Sequence, residues 1–170
     1  GSLGHVNVLA NMMFGSISGF AVAAAAAVGG TMAPLQKKEG YDPAFSAAVN
    51  ITSSPTGLLI PPSNTFIVYS LISGGTSIGA LFLAGYIPGI LMGLGIMVIA
   101  GIIAKKRNYP VSPKPTMQEA CQKTLDALPS LGLVIVIIGG IIAGIFTATE
   151  ASAIAVVYTL VLSMGIYKEI

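Results

Sequence analysis

Two short clusters of small, hydroxyl-bearing and proline residues stand out, because each lies within a long uncharged stretch. The first covers residues 16–19 (Ser-Ile-Ser-Gly), and the second covers residues 53–64 and contains three prolines. Proline breaks a helix, so chain of this kind exposes carbonyl oxygens, to which serine and threonine add hydroxyl oxygens. Together these neutral oxygens could strip a small cation such as sodium of its water, as the discontinuous helices of secondary transporters do. The alternative is that the small residues only let helices pack closely in lipid.

Other kinds of chemistry find little support in the sequence. His5 is the only histidine and has no carboxylate nearby, so it is expected to be an ordinary polar group near a helix start. The glycines follow no phosphate-loop pattern, no Cys/His/Asp cluster has metal-ligand spacing, and Cys121 is the only cysteine. The basic residues form short clusters between apolar runs. We therefore expect no enzyme, no nucleic-acid partner and no cofactor beyond a coupling ion.

The distribution of charge indicates a membrane protein. Only 8% of the residues are charged and 54% are hydrophobic, whereas soluble domains carry about 25% charged residues. No charged residue occurs in residues 1–36, 43–104, 127–149 or 151–167. A membrane-spanning helix needs about 20 apolar residues, so the fold class is predicted to be all-α and polytopic. The chain lacks a signal-peptide pattern and is expected to be a piece of a longer protein.

Residues 1–36 are predicted to form a re-entrant helical hairpin. Two full crossings would need about 40 residues plus a turn, and one crossing would leave too many. Residues 15–19 have the small, polar composition of a turn between helices. Irregular backbone at membrane depth is tolerated where it lines a cavity or is buried in protein, so a site is expected near the hairpin tip. A single crossing would satisfy the charge distribution equally well.

The next segment, residues 43–72, is predicted to be a discontinuous transmembrane helix. Pro55, Pro61 and Pro62 each remove a backbone donor and clash with the preceding turn. Two half-helices joined by unwound chain between about Ser53 and Asn64 are therefore expected.

The rest of the chain is predicted to hold three further crossings. The first covers residues 78–104, with a kink at Pro88 and glycines that serve packing. A polar loop follows, with a short interfacial helix over residues 116–125, and then crossings over residues 128–146 and 151–167. Thr147 or Thr149 is placed to cap the last one, and Glu150 is either part of that cap or a functional intramembrane carboxylate. In this scheme every basic cluster, Lys168 included, lies on the cytoplasmic side.

At these residues the sequence resembles the large membrane subunit, DctM-like, of tripartite ATP-independent periplasmic (TRAP) transporters, which belong to a wider ion-transporter superfamily. The resemblance runs the whole length of the chain. It is carried, in order, by residues 4–10, Ser18-Gly19 with residues 21–23, residues 38–45, Ile60-Pro61-Pro62-Ser63, residues 81–85 with Pro88-Gly89, Gly139-Gly140, residues 144–147, and Thr149-Glu150-Ala151.

The resemblance implies a sodium-driven, multi-pass importer of organic acids in the bacterial inner membrane. A periplasmic binding protein would deliver the substrate, and a small membrane subunit would brace the large one. Residues 1–72 would be the transport-domain part of the first of two inverted repeats, and 73–107 a transmembrane helix. Residues 108–127 would be the cytoplasmic loop and 128–170 part of the scaffold. The rest of such a subunit lies outside this chain, which alone should not transport.

The family's first sodium site carries over to five residues, Ser16 and Ser18 at the tip and Gly57, Ile60 and Pro62 in the break. The last three would offer backbone carbonyls. Substrate would lie beside them, near Ser54, Ser63 and Asn64. Two departures from the family pattern are Phe20 in place of a serine and Ala24 in place of an aspartate. They remove a hydroxyl and a carboxylate from the tip region, which bears on ion coupling and substrate preference. In the break, residues 54–58 read Ser-Pro-Thr-Gly-Leu where Ser-Thr-Ile-Gly-Pro is commoner.

Two rival functions remain open at this point. One is a carrier of the same superfamily that works without a binding protein, and the other is a membrane scaffold subunit that does not transport.

Overall fold

The structure is a computed structural model that describes residues 2–110 and 117–167. The chain divides into two compact units, Gly1–Ser112 and Pro113–Ile170. The described residues contain helices and connecting turns, and no strand. The helices are α1 (Ser2–Ser18), α2 (Ala21–Lys38), α3 (Pro43–Ser53), α4 (Thr56–Leu59), α5 (Asn64–Ile72), α6 (Ile78–Lys106), α7 (Met117–Ile142) and α8 (Ala148–Val161), the last continued by a π-helical segment (Leu162–Tyr167).

Helices α1 and α2 form a hairpin whose turn is only two residues long. Gly19 adopts a φ of 67°, a left-handed conformation that glycine adopts without steric cost, and its amide donates to the Gly15 carbonyl at 2.7 Å. Phe20 is extended and is the N-cap residue of α2. The two helices have 17 and 18 residues. The helical pair agrees with the sequence, but the turn is shorter than the predicted residues 15–19, because residues 15–18 belong to α1. Re-entry into a membrane stays a prediction.

The segment after the hairpin is broken as the prolines predict. Helix α3 ends at Ser53, a single helical turn forms α4, and residues 60–63 are non-helical before α5 begins. An uninterrupted helix would need amides at positions 61 and 62 to bond the carbonyls of Gly57 and Leu58. Both positions are proline, so neither bond can form. The sequence did not predict the separate turn α4.

Helix α6 packs along the first unit and supplies much of its core. Val8 of α1, Phe45 and Val49 of α3, and Ala100 and Ala104 of α6 are buried together. Glycines placed four residues apart on α6, Gly85, Gly89 and Gly93, are buried and contact the break and Met12 of α1. Packing is therefore the role that the structure gives these glycines, and α6 continues through Pro88.

One helix among the described residues is long and apolar enough to cross a membrane, and it is α6. Two shorter apolar stretches, Leu131–Ile142 and Thr149–Gly165, lie in the second unit. They overlap the crossings that the sequence predicts over residues 128–146 and 151–167.

A polar and aromatic cluster joins the base of the hairpin to the end of α6. Arg107 forms an ion pair with Asp42 at 2.6 Å, and the Asp42 side chain caps α3 by accepting from the Ala44 amide at 2.8 Å. The rings of Tyr41 and Tyr109 stack with centroids 4.4 Å apart. The Asp42 carboxylate therefore serves two elements at once.

In the second unit the structure differs from the sequence-based expectation. A short interfacial helix was expected over residues 116–125, separate from a crossing that starts near residue 128. Instead α7 runs without interruption from Met117 to Ile142, with Pro129 inside it. The change from polar to apolar composition therefore falls within one helix. Thr116 and Lys168 lie outside the described residues.

The start of α8 settles two alternatives that the sequence left open. Thr147 is the N-cap, and Thr147 and Glu150 form a reciprocal capping box. The Thr147 amide donates to a Glu150 carboxylate oxygen at 2.7 Å. Thr149 is not the cap, and Glu150 is engaged as a capping residue.

Candidate functional site

The hairpin tip (residues 15–20) packs directly on the break (residues 54–63). At the centre of this contact the backbone of Gly15 touches the backbone of Gly57, and both residues are buried. A Cβ atom added to Gly15 would lie 2.6 Å from the Gly57 Cα atom, closer than carbon atoms can approach without repulsion. Only glycine on both sides allows the two backbones to come this close.

A second contact fixes the end of the tip to the start of α5. The Asn64 side-chain amide donates to the Ser18 carbonyl at 3.1 Å, bridging 46 residues of sequence. A Cβ on Gly19 would lie 2.8 Å from the Asn64 backbone nitrogen, so this approach also depends on glycine. The tip is thus held at two points, by the break at Gly57 and by the start of α5 at Asn64.

The break leaves at least one backbone carbonyl without its helical donor. The Thr56 carbonyl accepts from the Ile60 amide at 3.0 Å, and the Leu58 carbonyl accepts from the Ser63 hydroxyl at 2.6 Å. Ser63 thus replaces the donor that Pro62 lacks. The helical donor to the Gly57 carbonyl would be the amide of residue 61, which is a proline and has none. No other group donates to this carbonyl among the described hydrogen bonds.

The five residues predicted to bind sodium fall on the two sides of this contact. Ser16 is buried, and its hydroxyl donates to the Met13 carbonyl at 2.7 Å. Ser18 is half-buried, and its hydroxyl lies 3.3 Å from both the amide and the carbonyl of Phe20. Gly57 lies opposite Gly15. Two of the five, Ile60 and Pro62, flank Pro61 in the non-helical stretch and are half-buried.

The three residues predicted to lie near the substrate differ in accessibility. Ser54 and Ser63 are buried, and the Ser54 hydroxyl donates to the Ile51 carbonyl at 3.1 Å. Ser63 is engaged with Leu58, as described above. Asn64 is exposed at the entrance to α5, so it is the one of the three whose side chain already faces outward.

The two departures from the family pattern also occupy different settings. Phe20 is 58% exposed at the very tip, while Ala24 is fully buried one turn into α2. The missing hydroxyl therefore belongs to the surface of the tip, and the missing carboxylate belongs to its interior.

Sequence reasoning missed a buried amide network that ties α1 to α3 just below the site. The Asn11 side-chain nitrogen lies 2.8 Å from the Asn7 side-chain oxygen, 2.9 Å from that of Asn50 and 2.9 Å from the Ser53 hydroxyl. All four residues are at most 9% exposed. Asn7 and Asn11 are four residues apart on an uncharged helix, which puts them on one face. That spacing was the available signal.

The chemistry of this region is that of neutral oxygen donors. Carbonyls and hydroxyls surround the tip-to-break contact, and the described residues contain no group of three His, Cys, Asp or Glu side chains that could hold a metal ion. Carbonyl and hydroxyl oxygens suit a weakly bound alkali cation that must enter and leave.

Comparison with known proteins agrees with the resemblance. Residues 1–170 match the family described as tripartite ATP-independent periplasmic transporter, DctM component. The uncharacterized protein YgiK of Salmonella typhimurium is 61% identical over 170 residues, which are 100% of this chain and 39% of that protein. The sialic acid TRAP transporter large permease protein of Vibrio cholerae is 40% identical over 168 residues, 99% of this chain and 39% of the relative. The C4-dicarboxylate TRAP transporter large permease protein of Pseudomonas aeruginosa is 38% identical over 169 residues, which are 99% of this chain and 39% of that protein.

The chain thus spans about two fifths of the length of the curated relatives it matches, each covered to 39%. The family match, by contrast, covers the whole chain. The chain belongs to the DctM family of TRAP transporter large permease proteins, which are membrane proteins of secondary transporters.

Proposed function

We propose that this chain is the first-repeat hairpin and broken helix, with adjoining helices, of a sodium-coupled permease that imports an organic acid. A periplasmic binding protein delivers the acid, and a small membrane subunit accompanies the permease in the bacterial inner membrane. The permease does no covalent chemistry and needs no cofactor other than the coupling ion. Family membership supports the transport role, and the remaining steps rest on the geometry of the tip and the break.

The observation that carries the proposal is the contact between tip and break at Gly15 and Gly57. It places two interrupted helices side by side at the point where their backbone hydrogen bonding is incomplete. An ion that takes ligands from both elements stabilises their closed arrangement, and so its binding is coupled to the shape of the surface beside it. In the proposal Ser16 and Ser18 contribute from the tip, while Gly57, Ile60 and Pro62 contribute from the break.

The substrate class follows from two considerations. The relatives are named for sialic acid and for C4-dicarboxylates, and both kinds of compound carry carboxylate groups. Helix α5 begins at Asn64, beside the tip, and the N-terminus of a helix favours a negative group. A carboxylate near Ser54, Ser63 and Asn64 would lie at this helix end. Because Ser54 and Ser63 are buried, substrate reaches them only if the tip moves away from the break.

Phe20 and Ala24 define what is particular to this chain. Neither residue offers an oxygen, so sodium must be held by the remaining ligands of the tip and the break. An exposed phenyl ring at the tip also favours a substrate with an apolar part. We therefore expect a transporter that keeps sodium coupling and differs from the sialic acid relative in substrate preference.

The test is uptake into proteoliposomes that contain the full-length permease and its small subunit. Radiolabelled carboxylates are offered with an inward sodium gradient or a potassium gradient, each with and without the binding protein. The proposal expects accumulation only with sodium and the binding protein. Equal uptake without the binding protein would indicate a carrier that works alone. Absence of uptake for every carboxylate, with sodium leaving the accessibility of the tip unchanged, would indicate a scaffold subunit.

A further inference from the structure

A cavity of about 640 Å³ opens between α1, α2 and α3, on the side of the hairpin base. Much of its wall is apolar and comes from Ala33, Pro34, Pro43, Ala47 and Ile51. Ile51 is 64% exposed, so the apolar wall continues to the outer surface of the unit.

Two polar side chains in the lining of this cavity lack hydrogen-bond partners. The Gln36 side-chain oxygen and the Ser46 hydroxyl are both buried and have none among the described residues. Gln36 is fully buried, and its nitrogen already donates to the Leu3 carbonyl at 3.4 Å. Buried polar atoms in proteins are nearly always paired, and an unpaired one calls for a ligand, a water molecule or another explanation.

The unpaired atoms of Gln36 and Ser46 are oxygens, so a ligand that pairs with them must supply hydrogen-bond donors. An amide oxygen can only accept, and a serine hydroxyl can accept while it donates elsewhere. Asn50, which also lines the cavity, has its nitrogen engaged with the Ala25 carbonyl at 2.8 Å and its oxygen with Asn11. A group with several N–H donors would satisfy both Gln36 and Ser46.

A cation lies in the same lining. Lys37 contributes to the cavity, and within residues 2–110 and 117–167 it has no ion-pair partner. A ligand that fits all three features has an N–H-rich cationic end, an anionic group within reach of Lys37, and an apolar part for the wall that leads to Ile51. Water would satisfy Gln36 and Ser46, but it would leave the charge of Lys37 and the apolar wall without a partner.

We propose that this cavity binds an ethanolamine phospholipid. The ammonium group donates to Gln36 and Ser46, the phosphate pairs with Lys37, and an acyl chain follows Ala47 and Ile51 to the bilayer. Because the unpaired oxygens of Gln36 and Ser46 are buried, the proposal requires both side chains to rotate toward the ammonium group. The membrane setting of the family supplies such a ligand, and the lysine cluster at the hairpin base places it at headgroup level.

The test compares phosphatidylethanolamine with phosphatidylcholine of identical acyl chains. Three methyl groups on choline remove every N–H donor and leave the phosphate and the tails unchanged. Delipidated full-length permease is offered equal amounts of the two lipids in sodium-free potassium buffer, and bound lipid is counted by native mass spectrometry. Loss of charge-assisted hydrogen bonds predicts a preference of about tenfold for the ethanolamine lipid at one site.

Two variants assign that site to the cavity. Ser46→Ala removes one unpaired oxygen and no hydrogen bond to a described residue, so it should fold. Gln36→Leu removes the other unpaired oxygen together with the 3.4 Å hydrogen bond to the Leu3 carbonyl, so Ser46→Ala is the cleaner of the two variants. In each variant, phosphatidylethanolamine and phosphatidylcholine are expected to occupy this one site in nearly equal amounts. Thr31→Ala is the control, because the Thr31 hydroxyl is exposed and bonds the Ala27 carbonyl within its own helix.

Three outcomes overturn the proposal: equal binding of the two lipids by the unmodified protein, no retained lipid, or an unchanged preference in both cavity variants. The measurement contains no sodium and no substrate. Its result is therefore independent of whether the permease is sodium-coupled.

Discussion

Replacement of Asn11 by leucine should destabilise the first unit although the two side chains are similar in size. The Asn11 amide nitrogen lies within 2.9 Å of three oxygen acceptors, on Asn7, Asn50 and Ser53. An amide nitrogen carries two hydrogens, so it serves two of these acceptors at a time. Leucine serves none, and the site is fully buried, so water cannot replace the lost donors without entering the core.

The expected magnitude follows from the two lost donors. A buried acceptor left without a partner costs about 1–3 kcal/mol, which gives about 2–6 kcal/mol for two. Transfer of the leucine side chain to the interior returns about 2 kcal/mol. These two contributions leave a loss of about 0–4 kcal/mol. Leucine also removes the Asn11 Oδ1 atom, which is buried without a hydrogen-bond partner. The free energy of unfolding should therefore fall by about 1–2 kcal/mol, below the upper part of that range.

The assay is denaturant unfolding of the full-length permease in detergent, followed by circular dichroism. Asn64→Leu is the matched control, because Asn64 is exposed and donates one bond, to the Ser18 carbonyl. The control should lose less than about 1 kcal/mol. Combining Asn11→Leu with Asn50→Leu should cost less than the sum of the two single changes, since their partners are shared. If Asn11→Leu loses no more stability than Asn64→Leu, the network is not the tie between α1 and α3 that the distances indicate.

Three further predictions concern other parts of the molecule. Gly57→Ala should abolish sodium-dependent uptake, because the added methyl group would collide with the Gly15 backbone at the tip. Gly30→Ala is the control and should leave uptake unchanged, because no atom lies within 4 Å of the added Cβ. The Ala44 amide and then Arg107 hold the pKa of Asp42 below its ordinary value, so the contribution of this carboxylate to stability is present at neutral pH and is lost only below about pH 4. Asp42→Asn should therefore flatten the acid limb of a profile of stability against pH and leave its shape between pH 5 and 8. An unchanged acid limb would contradict this. Thr147→Val should lower helix stability by about 1 kcal/mol through loss of the cap, measured by thermal unfolding, and a change no larger than that of Thr159→Val, at an exposed mid-helix hydroxyl, would contradict it.

The break could be predicted from the sequence because its cause is local and covalent. The adjacent Pro61 and Pro62 remove two consecutive amide donors and the helix stops there, whereas the single prolines Pro88 and Pro129 lie inside helices. A turn near Gly19 was likewise predictable from the small, polar residues 15–19, although residues 15–18 remain helical and only Gly19 adopts a positive φ. Both features follow from backbone chemistry within a few residues.

The network around Asn11 could not be predicted in the same way. Its contacts with Asn50 and Ser53 span 39 and 42 residues, and only the packing of α1 on α3 brings them together. The capping alternatives at α8 also needed the structure, since Thr147 and Thr149 are both suited to cap a helix. The structure selects Thr147, which forms a capping box with Glu150 three residues later.

Near Pro129 the helix boundary predicted from amino-acid composition was wrong. The sequence changes from polar to apolar near residue 127, and we expected a helix boundary there. A change of surroundings does not itself end a helix, and α7 accommodates both the missing donor and the ring of the single Pro129. The helix α7 therefore continues, and the Pro129 carbonyl accepts from the Tyr158 hydroxyl at 2.8 Å.

The central claim is that sodium binds where the hairpin tip meets the break, and Ser18 is the residue at which to test it. Ser18→Cys is introduced into a full-length permease in which Cys121→Ser and the replacement of any cysteine outside this chain have removed the native thiols. Labelling by a membrane-impermeant thiol reagent is then timed in sodium and in potassium. The account predicts slower labelling in sodium, because the ion closes or fills the space beside the tip. Equal rates in the two salts, or no labelling from either face, would contradict it.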